Sequence, residues 1–229
     1  KRQNLNLAHK KNGQTPLHIA CKQMNLDIVT ALLEKPEIEV NTYNNVGLTP
    51  LLIACVMSNF DIVNALLEHP EINVNAHNKD KWTPLHVACK QMDLKIFNKL
   101  LEHPKINVNA HNNDGQTPLL IACLMYENYK DISLYIVKTL LTHPKINVNA
   151  YNNNGQTPLH IACQDNCLDI LSLLLVKNAN VNQPNNREQT PLYIACSSSS
   201  VDAVKALIGH PKINVNKSNN KGQTPLYIA

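Results

Sequence analysis

The chain lacks any long apolar run. No stretch approaches the roughly 18 uninterrupted apolar residues that a membrane-spanning helix needs. Lys1 and Arg2 are not followed by the apolar segment of a signal peptide. We therefore expect a soluble chain without membrane insertion, in the cytoplasm or alternatively in the nucleus.

The chain also has little net charge of either sign. Its 21 basic and 17 acidic residues give a formal charge of +4 and are spread over the whole length. No block of five or more basic residues could follow a phosphate backbone. Nucleic acid is therefore not expected as a partner.

Signatures of catalysis and of metal binding are missing. The sequence contains no GxSxG, phosphate-loop, dinucleotide-binding or HExxH motif. A zinc site would need paired cysteines or histidines at short spacing, and no CxxC occurs. We predict a protein that is not an enzyme, with no catalytic residue, no cofactor and no metal.

What the chain does contain is a repeat. The tripeptide Thr-Pro-Leu recurs at intervals of 34, 34, 34, 40, 33 and 34 residues, beginning at Thr15, Thr49, Thr83, Thr117, Thr157, Thr190 and Thr224. A fixed period of this length indicates supersecondary units that bury their apolar faces by stacking. A stacked array offers an extended surface for a partner rather than an enclosed reaction site.

The cysteines follow the same period. Six of them occupy the same step of the repeat, each directly after an alanine: Cys21, Cys55, Cys89, Cys123, Cys163 and Cys196. Stacked helices lie about 10 Å apart, whereas bridged cysteines need Cα atoms within about 7 Å. We expect buried free thiols, which suit a reducing compartment.

One unit shows how the repeat folds. Thr49 and Pro50 form a helix start, because the hydroxyl caps an early N–H and proline gives up a donor that has no partner. A second helix is predicted from Phe60 to Leu67 on its apolar spacing, and Pro70 ends it. The unit is helix, turn, helix and projecting loop.

This pattern of Asn-x-x-Gly-x-Thr-Pro-Leu-x-Ile-Ala, Asp-Ile-Val-x-x-Leu-Leu and Val-Asn resembles the ankyrin repeat. The resemblance covers the whole chain. It implies an all-α fold, an ankyrin-repeat solenoid of stacked helix-turn-helix units with projecting β-hairpin loops, or fingers. It also implies binding of proteins along a concave face built from fingers and first helices, without catalysis.

We divide residues 1–229 as one array. It consists of a partial finger (1–9), repeats one to six (10–43, 44–77, 78–111, 112–151, 152–184 and 185–218) and a partial repeat seven (219–229). We expect a monomer that is a fragment of a longer protein, because capping repeats are missing. The predicted function is a non-catalytic scaffold for protein interaction. The alternative is the targeting arm of a larger enzyme.

Two departures from the ankyrin pattern carry their own expectations. Lys81 and Glu188 replace the finger glycine, so we expect those two fingers to bend differently. The six-residue insert of repeat four lies within Leu124–Ser133 and is expected to lengthen the turn between the helices. It either serves binding or is a tolerated loop.

The histidines after Thr-Pro-Leu, His18, His86 and His160, are interpreted as structural hydrogen-bonding residues. Those that precede a proline after the second helix, such as His69 and His103, are interpreted as caps at the negative end of the helix dipole.

Positions that vary between repeats are where binding specificity is expected. The resemblance places the residue before Thr-Pro-Leu, the fingertip and the end of the first helix on the concave face. Apolar or aromatic residues gather there in repeats two to four, which is typical of an interaction site. The predicted partner-binding residues are Tyr43, Val46, Leu48, Val56, Met57, His77, Trp82, His111, Leu124, Met125, Tyr126 and Tyr151.

We hypothesise that these residues hold an apolar or aromatic segment of a protein partner, with Trp82 as the central anchor. Alternatively, Trp82 packs onto its own finger and compensates for Lys81.

Overall fold

A computed structural model describes residues 5–229, which divide into two compact units at Asn113 and Asp114. The described residues contain thirteen helices and no strand. The first unit holds α1 (Pro16–Lys22), α2 (Leu26–Leu33), α3 (Pro50–Val56), α4 (Phe60–Leu67), α5 (Pro84–Gln91) and α6 (Leu94–Leu101). The second holds α7 (Pro118–Leu124), α8 (Lys130–Thr142), α9 (Pro158–Gln164), α10 (Leu168–Val176), α11 (Pro191–Ser197), α12 (Val201–Ile208) and α13 (Pro225–Ile228).

Helix starts follow the local chemistry that the sequence predicts. Helix α3 begins at Pro50, and the Thr49 hydroxyl accepts a hydrogen bond from the Leu52 N–H at 3.3 Å. Helix α4 runs from Phe60 to Leu67, as predicted, and the Asn59 side chain accepts from the Ile62 N–H at 3.0 Å. Each cap satisfies a backbone donor that has no partner inside the helix.

Within each unit, first helices stack on first helices and second helices on second helices. In the first unit α3 packs against α1 and α5, and α4 packs against α2 and α6. In the second unit α9 packs against α7 and α11, and α10 against α8 and α12. The core therefore lies between the two helix layers, where Leu51, Leu52 and Ile62 are fully buried.

The fingers are tight turns rather than the expected strand-forming hairpins. The Asn44 N–H donates to the Leu48 carbonyl at 3.0 Å, as in a hairpin, but the Leu48 N–H donates to the Asn44 side-chain Oδ1 at 2.9 Å. The Asn44 side chain thus accepts the hydrogen bond that the Asn44 backbone carbonyl would accept in a pair of β-strands. One backbone bond, from the Asn45 N–H to the Asn12 carbonyl at 3.0 Å, joins this finger to the preceding one.

The fingers with Lys81 and Glu188 keep the glycine geometry, so the expectation of a different bend is wrong. Lys81 has a φ of 60° and Glu188 a φ of 59°, beside 80° for Gly47. The Lys81 N–H donates to the Asn78 carbonyl at 2.9 Å, as the Gly47 N–H does to Asn44 at 2.9 Å. The turn imposes the left-handed conformation on both side chains, at a cost of about 1 kcal/mol each.

The insert of repeat four goes mostly into helix rather than into the turn. Helix α8 has 13 residues, whereas α4 has 8. Five residues separate Leu124 from Lys130, and three separate Val56 from Phe60. The expected longer turn is therefore only part of the outcome, because two of the six inserted residues lengthen the turn and four extend the start of α8 by about one turn. The fifth additional helical residue, Thr142, lies at the other end of α8. Buried Ser133 anchors this helix, with its hydroxyl donating to the Ala122 carbonyl at 2.6 Å.

Candidate functional site

The predicted partner-binding residues of repeat two occupy three recurring positions. Val46 lies in the finger, Leu48 precedes Thr49, and Val56 and Met57 end the first helix. Val46 is 63% exposed, Val56 and Met57 are also exposed, and Leu48 is half-buried. The Val56 carbonyl accepts a hydrogen bond from the Gln91 side chain of repeat three at 2.9 Å. Four apolar side chains of one repeat thus remain accessible beside the next repeat.

Trp82 contacts its own repeat. Its ring centroid lies 5.9 Å from that of His86, at an interplanar angle of 59°. Its backbone N–H donates to the Asn78 Oδ1 at 2.9 Å. The side chain is half-buried, so the indole both packs against a neighbour on its own repeat and presents a remaining face to solvent.

The four predicted fingertip residues are all exposed. They are Tyr43, His77, His111 and Tyr151. The first three belong to the first unit and Tyr151 to the second. In the first unit, therefore, two repeats combine exposed fingertips with the accessible apolar residues at the other positions.

The predicted residues of repeat four lie in the second unit, where Leu124 is exposed and Met125 and Tyr126 are half-buried. The Tyr126 hydroxyl donates to the Asp169 Oδ2 at 2.7 Å. Lys130 Nζ lies 3.6 Å from the same oxygen and 5.8 Å from the Tyr126 ring centroid. Desolvation, followed by the bond to Asp169, raises the pKa of Tyr126 above its usual range. The insert is thereby fastened to repeat five.

The second unit also contains a polar cavity of about 390 Å³ between the fingers and first helices of repeats five and six. Its lining residues are Asn154, Gln156, Gln164, Asn185, Asn186, Arg187, Gln189, Ile194, Ser197 and Ser198. Asn154 and Arg187 correspond in register to Val46, and Gln156 and Gln189 correspond to Leu48. The cavity therefore lies at the positions where binding specificity is expected, but in repeats five and six, where those positions hold polar rather than apolar residues. The glutamines that precede Thr157 and Thr190 mark its place in the sequence, although they do not reveal which end of each amide faces the cavity.

The histidines after Thr-Pro-Leu join neighbouring repeats. The Nδ1 of His18 accepts from the Thr15 N–H at 3.1 Å, and its Nε2 donates to the Leu48 carbonyl at 3.0 Å. His160 bonds the Thr157 N–H at 3.1 Å and the Gln189 carbonyl at 3.1 Å in the same way. Because a backbone N–H can only donate, Nδ1 must accept and the ring is neutral. Burial lowers the pKa of His160 to about 4.

The histidines before proline form turns. The Nδ1 of His69 accepts from the Glu71 N–H at 3.3 Å, and that of His103 accepts from the Lys105 N–H at 3.2 Å. Burial and the charge of Lys105 lower the pKa of His103. These two rings thus accept hydrogen bonds in the turn that follows the helix, whereas the sequence suggested caps at the negative end of the helix dipole.

The described part of the chain shows no cluster that could hold a metal ion. Within residues 5–229, no three His, Cys, Asp or Glu side chains come close enough together. All seven cysteines are free thiols, and all except half-buried Cys196 are buried. No helix between residues 5 and 229 is long and apolar enough to cross a membrane.

Paired helices with Thr-Pro starts and projecting turns define a helical repeat protein. A family model described as ankyrin repeats in three copies matches residues 1–78, 70–136, 107–185 and 174–229. These segments span the chain, which therefore belongs to the ankyrin-repeat family. The predicted fold class is confirmed.

Solved structures agree with this assignment. The ankyrin repeat domain of Bcl-3, a unique member of the IkappaB protein family, is 28% identical, and the match covers 95% of this chain and 94% of that one with a TM-score of 0.81. An ankyrin repeat domain from Acinetobacter baumannii AYE is 27% identical, with coverage of 84% and 96% and a TM-score of 0.75. No curated protein matches the chain. Ankyrin repeats are generally protein interaction modules, and their fold is typically non-catalytic.

Proposed function

We propose that this chain is a non-catalytic scaffold that binds a protein partner through repeats two and three of the first unit, together with the adjoining fingertip residue Tyr43 at the end of repeat one. The binding surface, named here the apolar finger surface, consists of Tyr43, Val46, Leu48, Val56, Met57 and Trp82. The observation that carries the proposal is the exposure of Tyr43, Val46, Val56 and Met57 beside half-buried Leu48 and Trp82.

Burial of apolar area supplies the free energy for this binding. Removing apolar surface from water contributes about 25 cal/mol per Å², and tryptophan and tyrosine are enriched among residues that dominate interfaces. Trp82 suits an anchor because its contact with His86 orients the ring before a partner arrives. An oriented side chain loses less conformational entropy on binding.

The titratable groups support a scaffold rather than an enzyme. Burial lowers the pKa of His160 to about 4 and raises the pKa of Cys21 to about 12. A histidine that is neutral and a thiol that is protonated near pH 7 are poor nucleophiles and acids, and both lie in the core. Free thiols suit a reducing compartment, which supports our proposal that the protein works in the cytoplasm or nucleus.

The test is affinity capture followed by titration. The chain and a Leu48→Ala, Met57→Ala, Trp82→Ala triple variant are used as baits in cell extract, after circular dichroism shows equal helix content. The matched control is Leu26→Ala with Ile28→Ala, which removes two exposed apolar side chains of α2. We expect one protein to bind the native chain and the control but not the triple variant.

The captured protein is then purified and titrated against Trp82→Ala alone. A loss of about 2 kcal/mol of binding free energy is expected for an anchor residue. Equal retention by the native chain and the triple variant would remove the apolar finger surface from consideration. If Trp82→Ala binds the captured protein with unchanged affinity, Trp82 is not the anchor, and its indole serves only to pack within its own repeat.

A further inference from the structure

The cavity of repeats five and six is lined almost entirely by polar side chains. Its lining contains one formal charge, the exposed Arg187, and no carboxylate. Ile194 is the only apolar side chain in it, and the other members carry amides or hydroxyls. The exposed Glu188 follows Arg187 in the finger and Asp165 follows Gln164, but neither lines this cavity. A ligand that fits must therefore be polar.

The direction of the amide groups in this cavity is fixed by backbone donors. The Asn185 Oδ1 accepts from the N–H groups of Arg187 at 2.9 Å and Gln189 at 3.0 Å. A backbone N–H can only donate, so this atom must be the amide oxygen. The Asn185 Nδ2 consequently donates, and it does so to the Gln189 Oε1 at 3.0 Å. The carbonyl end of Gln189 is occupied, and its NH2 group is left for a ligand.

The same logic applies one repeat earlier. The Asn152 Oδ1 accepts from the N–H groups of Asn154 and Gln156, both at 3.0 Å, and its Nδ2 donates to the Gln156 Oε1 at 3.2 Å. The Gln156 Nε2 then donates to the Gln164 Oε1 at 3.4 Å. A chain of three amides thus ends on the NH2 group of Gln164.

These two chains leave the cavity rich in donors. The NH2 groups of Gln164 and Gln189 and the guanidinium of Arg187 belong to its lining, and the oxygens of both glutamines are already engaged. Asn186 also lines the cavity, and its Nδ2 already donates to the Asn153 carbonyl at 2.8 Å. Two oriented amide donors beside one positive charge, with no negative charge in the lining, complement a negatively charged oxygen acceptor.

We propose that this cavity binds the carboxylate side chain of an acidic segment of the protein partner. The carboxylate accepts from Gln189 and Gln164 and pairs with Arg187. This inference rests on the proposed function and adds a second point of contact, with its own chemistry, in the second unit. The finger asparagines Asn152 and Asn185 act as positioning residues, because they hold the glutamines with their donors available.

The test uses the full chain labelled with nitrogen-15 and two peptides, Gly-Glu-Glu-Glu-Gly and Gly-Gln-Gln-Gln-Gly, both acetylated at the N-terminus and amidated at the C-terminus so that only the side chains differ in charge. We expect the side-chain signals of Gln164, Gln189 and Arg187 to shift with the glutamate peptide and to stay in place with the glutamine peptide. The signal of Gln14 is an internal control, since its Oε1 accepts from the Asn12 Nδ2 at 3.1 Å but it does not line the cavity.

Variants then assign the binding to these donors. Gln189→Glu places a carboxylate in the cavity, and Arg187→Gln removes the positive charge of the cavity. Each substitution is expected to weaken the binding of the glutamate peptide at least about tenfold, as loss of a charge-assisted bond does. Gln14→Glu introduces the same charge outside the cavity and is expected to leave the affinity unchanged. Circular dichroism of each variant confirms folding.

Three results overturn the inference: equal shifts with both peptides, no shift with either, or equal shifts with inorganic phosphate, which would show a general anion site. The proposed function is tested separately, because its variants lie in repeats two and three. If the partner no longer binds when Trp82 is changed, and the glutamate peptide does not bind the native chain, only the acidic-segment inference is refuted. If the glutamate peptide binds and the captured protein binds the Trp82 variant as tightly as the native chain, only the apolar finger surface is refuted.

Discussion

The imidazole of His160 joins two repeats, because its Nε2 donates to the carbonyl oxygen of Gln189 at 3.1 Å while its Nδ1 accepts from the Thr157 N–H at 3.1 Å. The bond to Nδ1 requires the neutral ring, because a protonated Nδ1 could not accept from the Thr157 N–H. The residue that sets the start of α9 therefore also holds the finger of repeat six, and it holds the backbone of Gln189 beside the polar cavity.

This geometry predicts an acid-sensitive fold. The pKa of His160 is about 4 when folded and near 6.5 when unfolded, so the unfolded chain binds more protons between these values. Stability from this group is complete above about pH 6.5 and is lost as the pH falls toward 4, by about 3 kcal/mol at most. Urea unfolding from pH 7.5 to 4 measures the decline.

His160→Leu separates this effect from general acid denaturation. Leu120 occupies the same position in repeat four, so the substitution fits the fold. We expect a cost of about 1 kcal/mol at pH 7.5 for the lost hydrogen bonds, together with a shallower decline toward pH 4. A variant with the same pH slope as the native chain would show that His160 does not titrate on unfolding.

A second prediction concerns Gly155 and Gly222, which share a φ of +74° but have different surroundings. A Cβ at Gly155 would lie 2.6 Å from the Asn186 backbone nitrogen, whereas one at Gly222 meets nothing within 4 Å. Gly222→Ala should cost about 1 kcal/mol for the left-handed backbone alone. Gly155→Ala should cost about 2 kcal/mol, since the neighbouring finger must also move.

Urea unfolding of the two variants, with amide hydrogen exchange in the fingers, measures the difference. Equal costs would contradict the steric argument and would mean that the next finger yields. The next finger can accommodate a Cβ in other repeats, because Lys81 and Glu188 carry side chains at this position with φ near 60°.

A third prediction concerns the insert of repeat four. Tyr126→Phe removes the hydroxyl that donates to Asp169 at 2.7 Å and should destabilise by about 1 kcal/mol or less, because the site is partly exposed. Hydrogen exchange should quicken in residues 125–129. In the native chain the Tyr126 phenol should ionise above the usual tyrosine range, since its pKa is raised. Tyr129→Phe, which changes an exposed tyrosine in the same segment, is the matched control.

Local chemistry explains why the helices were predictable. Thr49 and Pro50 specify the start of α3 within two residues, and the apolar spacing of Phe60 to Leu67 specifies α4. The insert was harder, because nothing in the sequence from Leu124 to Ser133 says how six residues divide between turn and helix. That division depends on tertiary contacts such as Ser133 with Ala122 and Tyr126 with Asp169.

The two candidate surfaces differ for the same reason. Exposed apolar residues such as Val46 and Met57 could be named from the sequence, since periodicity shows which positions vary between repeats. The donor-rich cavity could not. Its character depends on which end of Gln189 faces Asn185, and that is decided by the backbone N–H groups of the folded finger.

The cysteines offer a last prediction, because each repeat from one to six carries its own thiol. Cys196 alone is half-buried, and the other six are buried. Burial raises the pKa of Cys196 as well, so we expect one thiol to react slowly with a maleimide in the native chain and six to stay protected. Mass spectrometry of peptides identifies the modified residue, and Cys196→Ser should abolish native labelling. Rapid reaction of a second thiol would contradict the burial pattern.

The same labelling, repeated in rising urea, measures how far the repeats unfold together. Stacked repeats contact only their neighbours, so protection can be lost in segments rather than all at once. Because the chain divides at Asn113, we expect Cys21, Cys55 and Cys89 to become reactive as one group and Cys123, Cys163 and Cys167 as another. A single midpoint for all six buried thiols would show that both units unfold in one cooperative step. Five separate midpoints, with Cys163 and Cys167 of repeat five sharing one, would show that each repeat opens alone and that the two units are not cooperative unfolding units.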